Sequence, residues 1–124
     1  MTRTPIVLTC GDPAGIGPEL AVKAWNILRN ELVFFWIGDP RHLPTGSRFV
    51  EISKPSDAAA AMQTGLPILP HRFTALATPG VLDTRNAQDV INVIDQAVQL
   101  VNTHQVAGIC TAPLQKKNLK DGAA

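Results

Sequence analysis

The apolar positions of this chain change period several times, and each change marks an element. Ile6 to Thr9, "IVLT", is a short β-branched and apolar run that suits a buried strand. From Pro18 to Asn30 the period becomes helical: Leu20, Ala24, Ile27 and Leu28 recur at i, i+4, i+7 and i+8 and share one face. Pro18 stands at the favoured first helical position, with Glu19 in the first turn near the positive end of the dipole. Leu32 to Ile37, "LVFFWI", is apolar without alternation and predicts a strand covered on both faces, as in a parallel sheet. Gly38-Asp39-Pro40 ends it.

Arg41 to Thr78 is punctuated by proline and glycine and holds no sustained period. It predicts an irregular stretch with short strands at Phe49–Ile52 and Ile68–Leu69. The helical period returns over Ala87 to Thr103, where Val90, Ile94, Ala97, Val98 and Val101 form an apolar stripe opposite Gln88, Asn92, Asp95, Gln99 and Asn102. Val106 to Cys110, "VAGIC", predicts another buried strand, and a helix begins after Pro113. Strand–helix–strand at the start and helix–strand–helix at the end predict an α/β fold, mostly a parallel sheet with flanking helices.

The 124 residues support one domain, with no internal boundary. A hydrophobic share of 45% against 17% charged is globular composition. The net charge of +1 gives no electrostatic case for nucleic acid or an anionic membrane. Lys116-Lys117-Asn118-Leu119-Lys120 is a short basic cluster without aromatic neighbours and reads as a solvated helix face. No apolar stretch approaches the ~20 residues needed to span a bilayer. The opening apolar run is too short for a secretory signal, so a cytoplasmic location is expected. Cys10 and Cys110 are expected to be free thiols.

Between the first strand and the first helix, Gly11 to Pro18 packs three glycines and two prolines into eight residues. Ligands of open α/β sheets settle beyond the carboxyl ends of strands, where both this loop and Thr111–Lys116 fall. Asp12 before Pro13 is turned away from helix, and Gly17, the expected N-cap, brings no side-chain acceptor. The first helical amides are then open to an anion. The alternative is a tight connection whose glycines only let helix and sheet approach. Neither G-x-G-x-x-G nor G-x-x-x-x-G-K-[ST] is present. Thr111 reads as a helix N-cap or a ligand donor, and Lys116 as a point charge toward a phosphate or carboxylate. Candidate binding residues are therefore Gly11, Asp12, Gly15, Gly17, Thr111 and Lys116. His42, His71 and His104 are scattered; the first two read as exposed loop residues and the third as a partner for a helix C-terminus. No catalytic or metal-ligating constellation emerges.

The stretch "TCGDPAGIGPELAVKA", followed far downstream by "CTAPLQKKNL", resembles the 4-hydroxythreonine-4-phosphate dehydrogenase family of vitamin B6 biosynthesis. The matching residues are Thr9, Gly11 to Glu19, Thr111, Ala112, Pro113 and Lys116. Departures are Cys10, where proline or methionine is common, and Asp83-Thr84-Arg85-Asn86-Ala87 in place of S-x-E-N-G. The resemblance implies an incomplete fold like that of isocitrate and isopropylmalate dehydrogenases, this chain being the N-terminal portion of a longer enzyme. It implies NAD-dependent oxidation and decarboxylation of 4-phosphohydroxy-L-threonine, a divalent metal ion (zinc, magnesium or cobalt) and a homodimer. The family's metal-binding histidines and its G-H-T-E motif have no counterpart in these residues, so the chain alone is expected to be inactive. Two alternatives are a related dehydrogenase of another phosphorylated hydroxy acid or diol, and a non-catalytic anion-binding module.

Overall fold

The computed structural model of the chain describes residues 4–76, 80 and 84–112. Along the chain they form β1 (Ile6–Thr9), α1 (Gly17–Leu28), β2 (Phe34–Gly38), β3 (Phe49–Glu51), α2 (Ala58–Ala61), β4 (Leu66–Pro70), α3 (Ala87–Asn102) and β5 (Gly108–Thr111). The strands make one sheet in the order β3-β4-β2-β1-β5, and every pairing is parallel. The expected α/β architecture is the one observed.

The uninterrupted apolar run does what its composition demands: all of β2 is buried. Register sorts the side chains between faces. Ile6, Phe34 and Gly108 align, as do Leu8, Trp36 and Cys110, on the side where α1 lies. Val7, Phe35 and Ile109 point the other way, where α3 buries Val90, Val93 and Ala97. Trp25 ties α1 to α2, its indole N–H donating to the Met62 carbonyl at 2.9 Å.

Three expectations shift. The segment read as irregular supplies an inner strand: β4 lies between β3 and β2 although it contains Pro67 and Pro70. Pairing with β2 begins only at Ile68, so Pro67 is spared a ladder bond on that side. A short helix, α2, precedes it. The last strand sits slightly later than predicted, with Thr111 as its final residue.

The third shift concerns α1. Its buried residues are Gly17, Pro18, Ala21 and Trp25. The stripe read from the sequence lies around the cylinder from these, with Leu20 42% and Ile27 74% exposed. Together with Ile6, Leu8 and Phe34 of the sheet, that stripe walls an open apolar groove of about 530 Å³. It runs between α1 and the edge strand β5, and Cys110, Thr111 and Ala112 form its far rim.

Candidate functional site

A parallel sheet brings every strand's carboxyl end to one edge. Here that edge collects the loops after β1, β2 and β4 and the end of β5. β1 has β2 on one side and β5 on the other, with α1 and α3 on opposite faces, so the chain changes direction between β1 and β5. The glycine loop and Thr111 stand at that point.

Each loop residue has a distinct task. Gly11 has φ +65°, which a side chain would strain. Asp12 is buried and organises the turn: its carboxylate accepts from the Ala14 N–H at 3.0 Å and its carbonyl from the Gly15 N–H at 3.0 Å. Gly15 is exposed. Gly17 is not the N-cap. The cap is Ile16, and Gly17 is the first helical residue. A Cβ there would stand 2.2 Å from the Cys10 carbonyl oxygen and 3.3 Å from the Ala112 Cβ. Close approach of helix to sheet therefore accounts for Gly17. The same contact joins the loop to the residue after β5, so two motifs far apart in sequence meet in space.

Thr111 is exposed at the last position of β5, in register with Thr9. Lys116 and the helix expected after Pro113 lie outside the described residues. Ala14 and Gly15 spend their amides within the loop. Those of Gly17 and Glu19 make no hydrogen bond among the described residues.

The sequence reading missed a polar hub beside this loop. Asp39, only 2% exposed at the end of β2, accepts from the Arg41 N–H at 2.9 Å, the Phe73 N–H at 2.9 Å and Arg41 Nη2 at 2.7 Å. Burial alone would raise its pKa; these charged and main-chain donors outweigh it and hold the carboxyl at about 2. Arg41 Nη2 also donates to the Phe73 carbonyl at 3.0 Å. Asp89, in the first turn of α3, accepts from the Thr74 N–H and hydroxyl at 2.9 and 2.7 Å and lies 3.2 Å from His71 Nε2. Burial opposes its ionisation too, but Thr74 and His71 lower its pKa.

His42 and His71 are thus half-buried and engaged rather than loose on the surface. Both rings meet Phe73 edge-on, at 5.0 and 5.4 Å between centroids. Burial pushes His42 below its ordinary pKa, while Nε2 lies 3.2 Å from the Ala75 carbonyl. Asp39-Pro40, a turn signal after a strand, was the available sign of this hub. The Asp39–Phe73 contact spans 34 positions and left no local trace.

Thr9 Oγ1 and Trp36 Nε1 are buried without a hydrogen-bond partner among the described residues. Cys10 is buried, and burial pushes its thiol up to about 12, which leaves it a packing residue. No group of three or more histidine, cysteine, aspartate or glutamate side chains converges on a metal site among the described residues.

Residues 28–124 match the profile of the pyridoxal phosphate biosynthetic protein PdxA. The chain belongs to that family. Over 119 residues it is 48% identical to the 4-hydroxythreonine-4-phosphate dehydrogenase of Roseobacter denitrificans, covering 96% of this chain and 36% of the relative. The same enzyme name is carried by a Ruegeria relative, 47% identical over 125 residues, with 99% and 38% covered. A crystal structure of a 4-hydroxythreonine-4-phosphate dehydrogenase from Burkholderia phymatum superposes with a TM-score of 0.82 at 26% identity, over 97% of this chain and 39% of that one. The chain thus spans little more than a third of the length of these relatives, and the PdxA fold it shares with them is a portion of the whole.

Proposed function

We propose that this chain is the N-terminal α/β portion of an enzyme that oxidises and decarboxylates 4-phosphohydroxy-L-threonine with NAD. Membership of the PdxA family is the observation that carries the reading. Oxidation of the secondary alcohol gives a β-keto acid, and NAD, when bound, takes the hydride. The described residues do not assemble a ligand set for the divalent ion that the family resemblance implies.

The part assigned to these residues is binding. Asp12 holds the loop in shape, Gly11 supplies the backbone geometry no other residue takes without strain, and Gly15 leaves the rim of the loop clear. The amides of Gly17 and Glu19 and the Thr111 hydroxyl are then donors for an anionic group of substrate or cofactor. Lys116 adds charge on the same proposal. The enzyme acts as a cytoplasmic homodimer.

The decisive experiment fuses residues 1–112 of this chain to the remainder of the Roseobacter denitrificans relative. The chimera should form NADH from 4-phosphohydroxy-L-threonine, whereas the 124-residue chain alone should form none. A folded chimera that turns over another phosphorylated hydroxy acid instead overturns the substrate assignment. Turnover by the 124-residue chain alone overturns the division of labour. Titration of the chain with inorganic phosphate tests the loop separately: amide resonances of Gly15 to Glu19 should shift, and silence there reduces the glycines to packing.

A further inference from the structure

After β4 the chain alternates outward and inward: Arg72 and Thr74 are exposed, Phe73 and Ala75 buried. Buried main-chain groups need partners, and most find them on another stretch of main chain. Residues 73–75 do not. They make no main-chain to main-chain hydrogen bond among the described residues. Side chains take that place: the Phe73 N–H donates to Asp39 Oδ2, the Thr74 N–H to Asp89 Oδ2 and the Ala75 N–H to Asn86 Oδ1, each at 2.9 Å. Arg41 Nη2 donates to the Phe73 carbonyl, and His42 Nε2 lies 3.2 Å from that of Ala75. These partners come from the turn after β2 and from the start of α3. A hold made of titratable side chains is one that a proton can loosen.

We propose that residues 73–75 are an acid-sensitive latch: a proton taken up by His42 loosens them from their side-chain partners while the parallel sheet stays folded. A carbonyl only accepts, so Nε2 carries a hydrogen in its contact with Ala75, and the added proton falls on Nδ1. That makes a cation of a half-buried ring set edge-on to Phe73. The groups facing it are Asp39 and Arg41 from its own turn and Asp89 from α3, with His71 across Phe73.

Burial is the largest influence on His42 and holds its ionisation below the ordinary 6.5, although Ala75, Asp39 and Asp89 favour the cation. An open latch returns the ring to water and to its ordinary affinity for protons. Acid therefore favours the open form from about 6.5 downward, by at most about tenfold per pH unit for one proton. Asp39 and Asp89 stay ionised over that range, because their partners lower their pKa values further. A proton on His71 has the opposite effect, since it draws the Asp89 carboxylate closer. Gly80, later on the same crossing to α3, donates its N–H to the Ala14 carbonyl at 2.9 Å, which sets the latch beside the glycine loop.

The test is amide hydrogen exchange on the 124-residue chain without ligand, corrected for the intrinsic chemical rate. Phe73, Thr74 and Ala75 should be protected at least about tenfold less than Phe35 and Ile37 of β2 throughout, because the latch opens without the sheet. Their protection should fall about fivefold or more between pH 7 and pH 5.5. His42→Gln keeps a donor for the Ala75 carbonyl but cannot titrate, and should hold the change within about twofold. His71→Gln should leave the fall in place. Circular dichroism confirms that each variant keeps its fold, and the wild-type comparison with β2 stands without either variant. Protection equal to that of β2, no fall with acid, or a fall kept in His42→Gln and lost in His71→Gln overturns the proposal. No substrate or NAD enters the measurement, so its outcome is independent of the catalytic reading.

Discussion

A single methyl group at residue 17 collides with the main chain of its neighbour. Gly17→Ala must push α1 away from the Cys10 carbonyl, and overpacking against rigid backbone costs about 2–3 kcal/mol. Urea denaturation should show that loss with an unchanged slope. Thr9 presents the opposite case. Its hydroxyl is buried and unpartnered among the described residues, so Thr9→Val, which keeps the shape and removes the oxygen, should raise stability by about 1 kcal/mol in the same assay. The two cysteines should separate by rate: a thiol reagent should modify exposed Cys110 at once and buried Cys10 only as the chain opens. Equal rates would place Cys10 outside the core. None of these residues is unusual in composition. Gly17 and Thr9 were visible in the sequence as part of a dense motif, but whether glycine served a ligand or a close contact depended on where Cys10 put its carbonyl.

At the scale of elements, the loops after β2 and β4 are tied together by carboxylates as well as by the buried Phe73. Asp39 ties Arg41 to Phe73, so Asp39→Asn should lower stability by about 2–3 kcal/mol, measured by thermal or urea unfolding, because Arg41 and two amides lose a charged acceptor. The linkage has a definite sign. A carboxyl held at about 2 against an ordinary 3.8 contributes stability that is complete above its unfolded value and is lost as pH falls through the folded one. The contribution is on the order of 2 kcal/mol. His42, whose pKa is lowered by burial, works in the same direction from its ordinary 6.5 downward, since the unfolded chain takes the proton first. Unfolding at several pH values should show stability declining below about 6.5 and steeply below 4; a flat acid limb would contradict both assignments. At the end of α3, His104 has φ +60° and closes the helix, with the Gln105 N–H on the Leu100 carbonyl and the His104 N–H on the Val101 carbonyl. The sequence placed a histidine near this terminus but not its left-handed backbone. His104→Gly should therefore gain about 0.5–1 kcal/mol.

For the whole molecule, the parallel sheet was legible because "LVFFWI" has no polar face to offer water and because helical periods separate the strands. What escaped had physical reasons. β4 was underestimated because two prolines weaken a strand signal that tertiary pairing restores. The core face of α1 was not legible, because Leu20, Ala24, Ile27 and Leu28 share one face while Ala21 and Trp25 make another side apolar, and periodicity cannot say which one is covered. The candidate site was half legible: the sequence located the glycine loop and Thr111 on one edge, and the Asp39 and Asp89 hubs needed contacts that only folding creates. Of the surface changes, Ile27→Lys should raise the concentration at which the isolated chain stays in solution and leave its unfolding midpoint almost unmoved, as light scattering and a thermal melt would report. The register of Ile6 with Gly108 has a consequence for the birth of the protein. β1 leaves the ribosome first, but its second neighbour is made only when residue 111 has been added. At roughly 5–20 residues per second, that flank of the nascent chain stays without its partner for about 5–20 seconds. In that interval the first strand keeps one side without its neighbour, and slower translation lengthens the exposure.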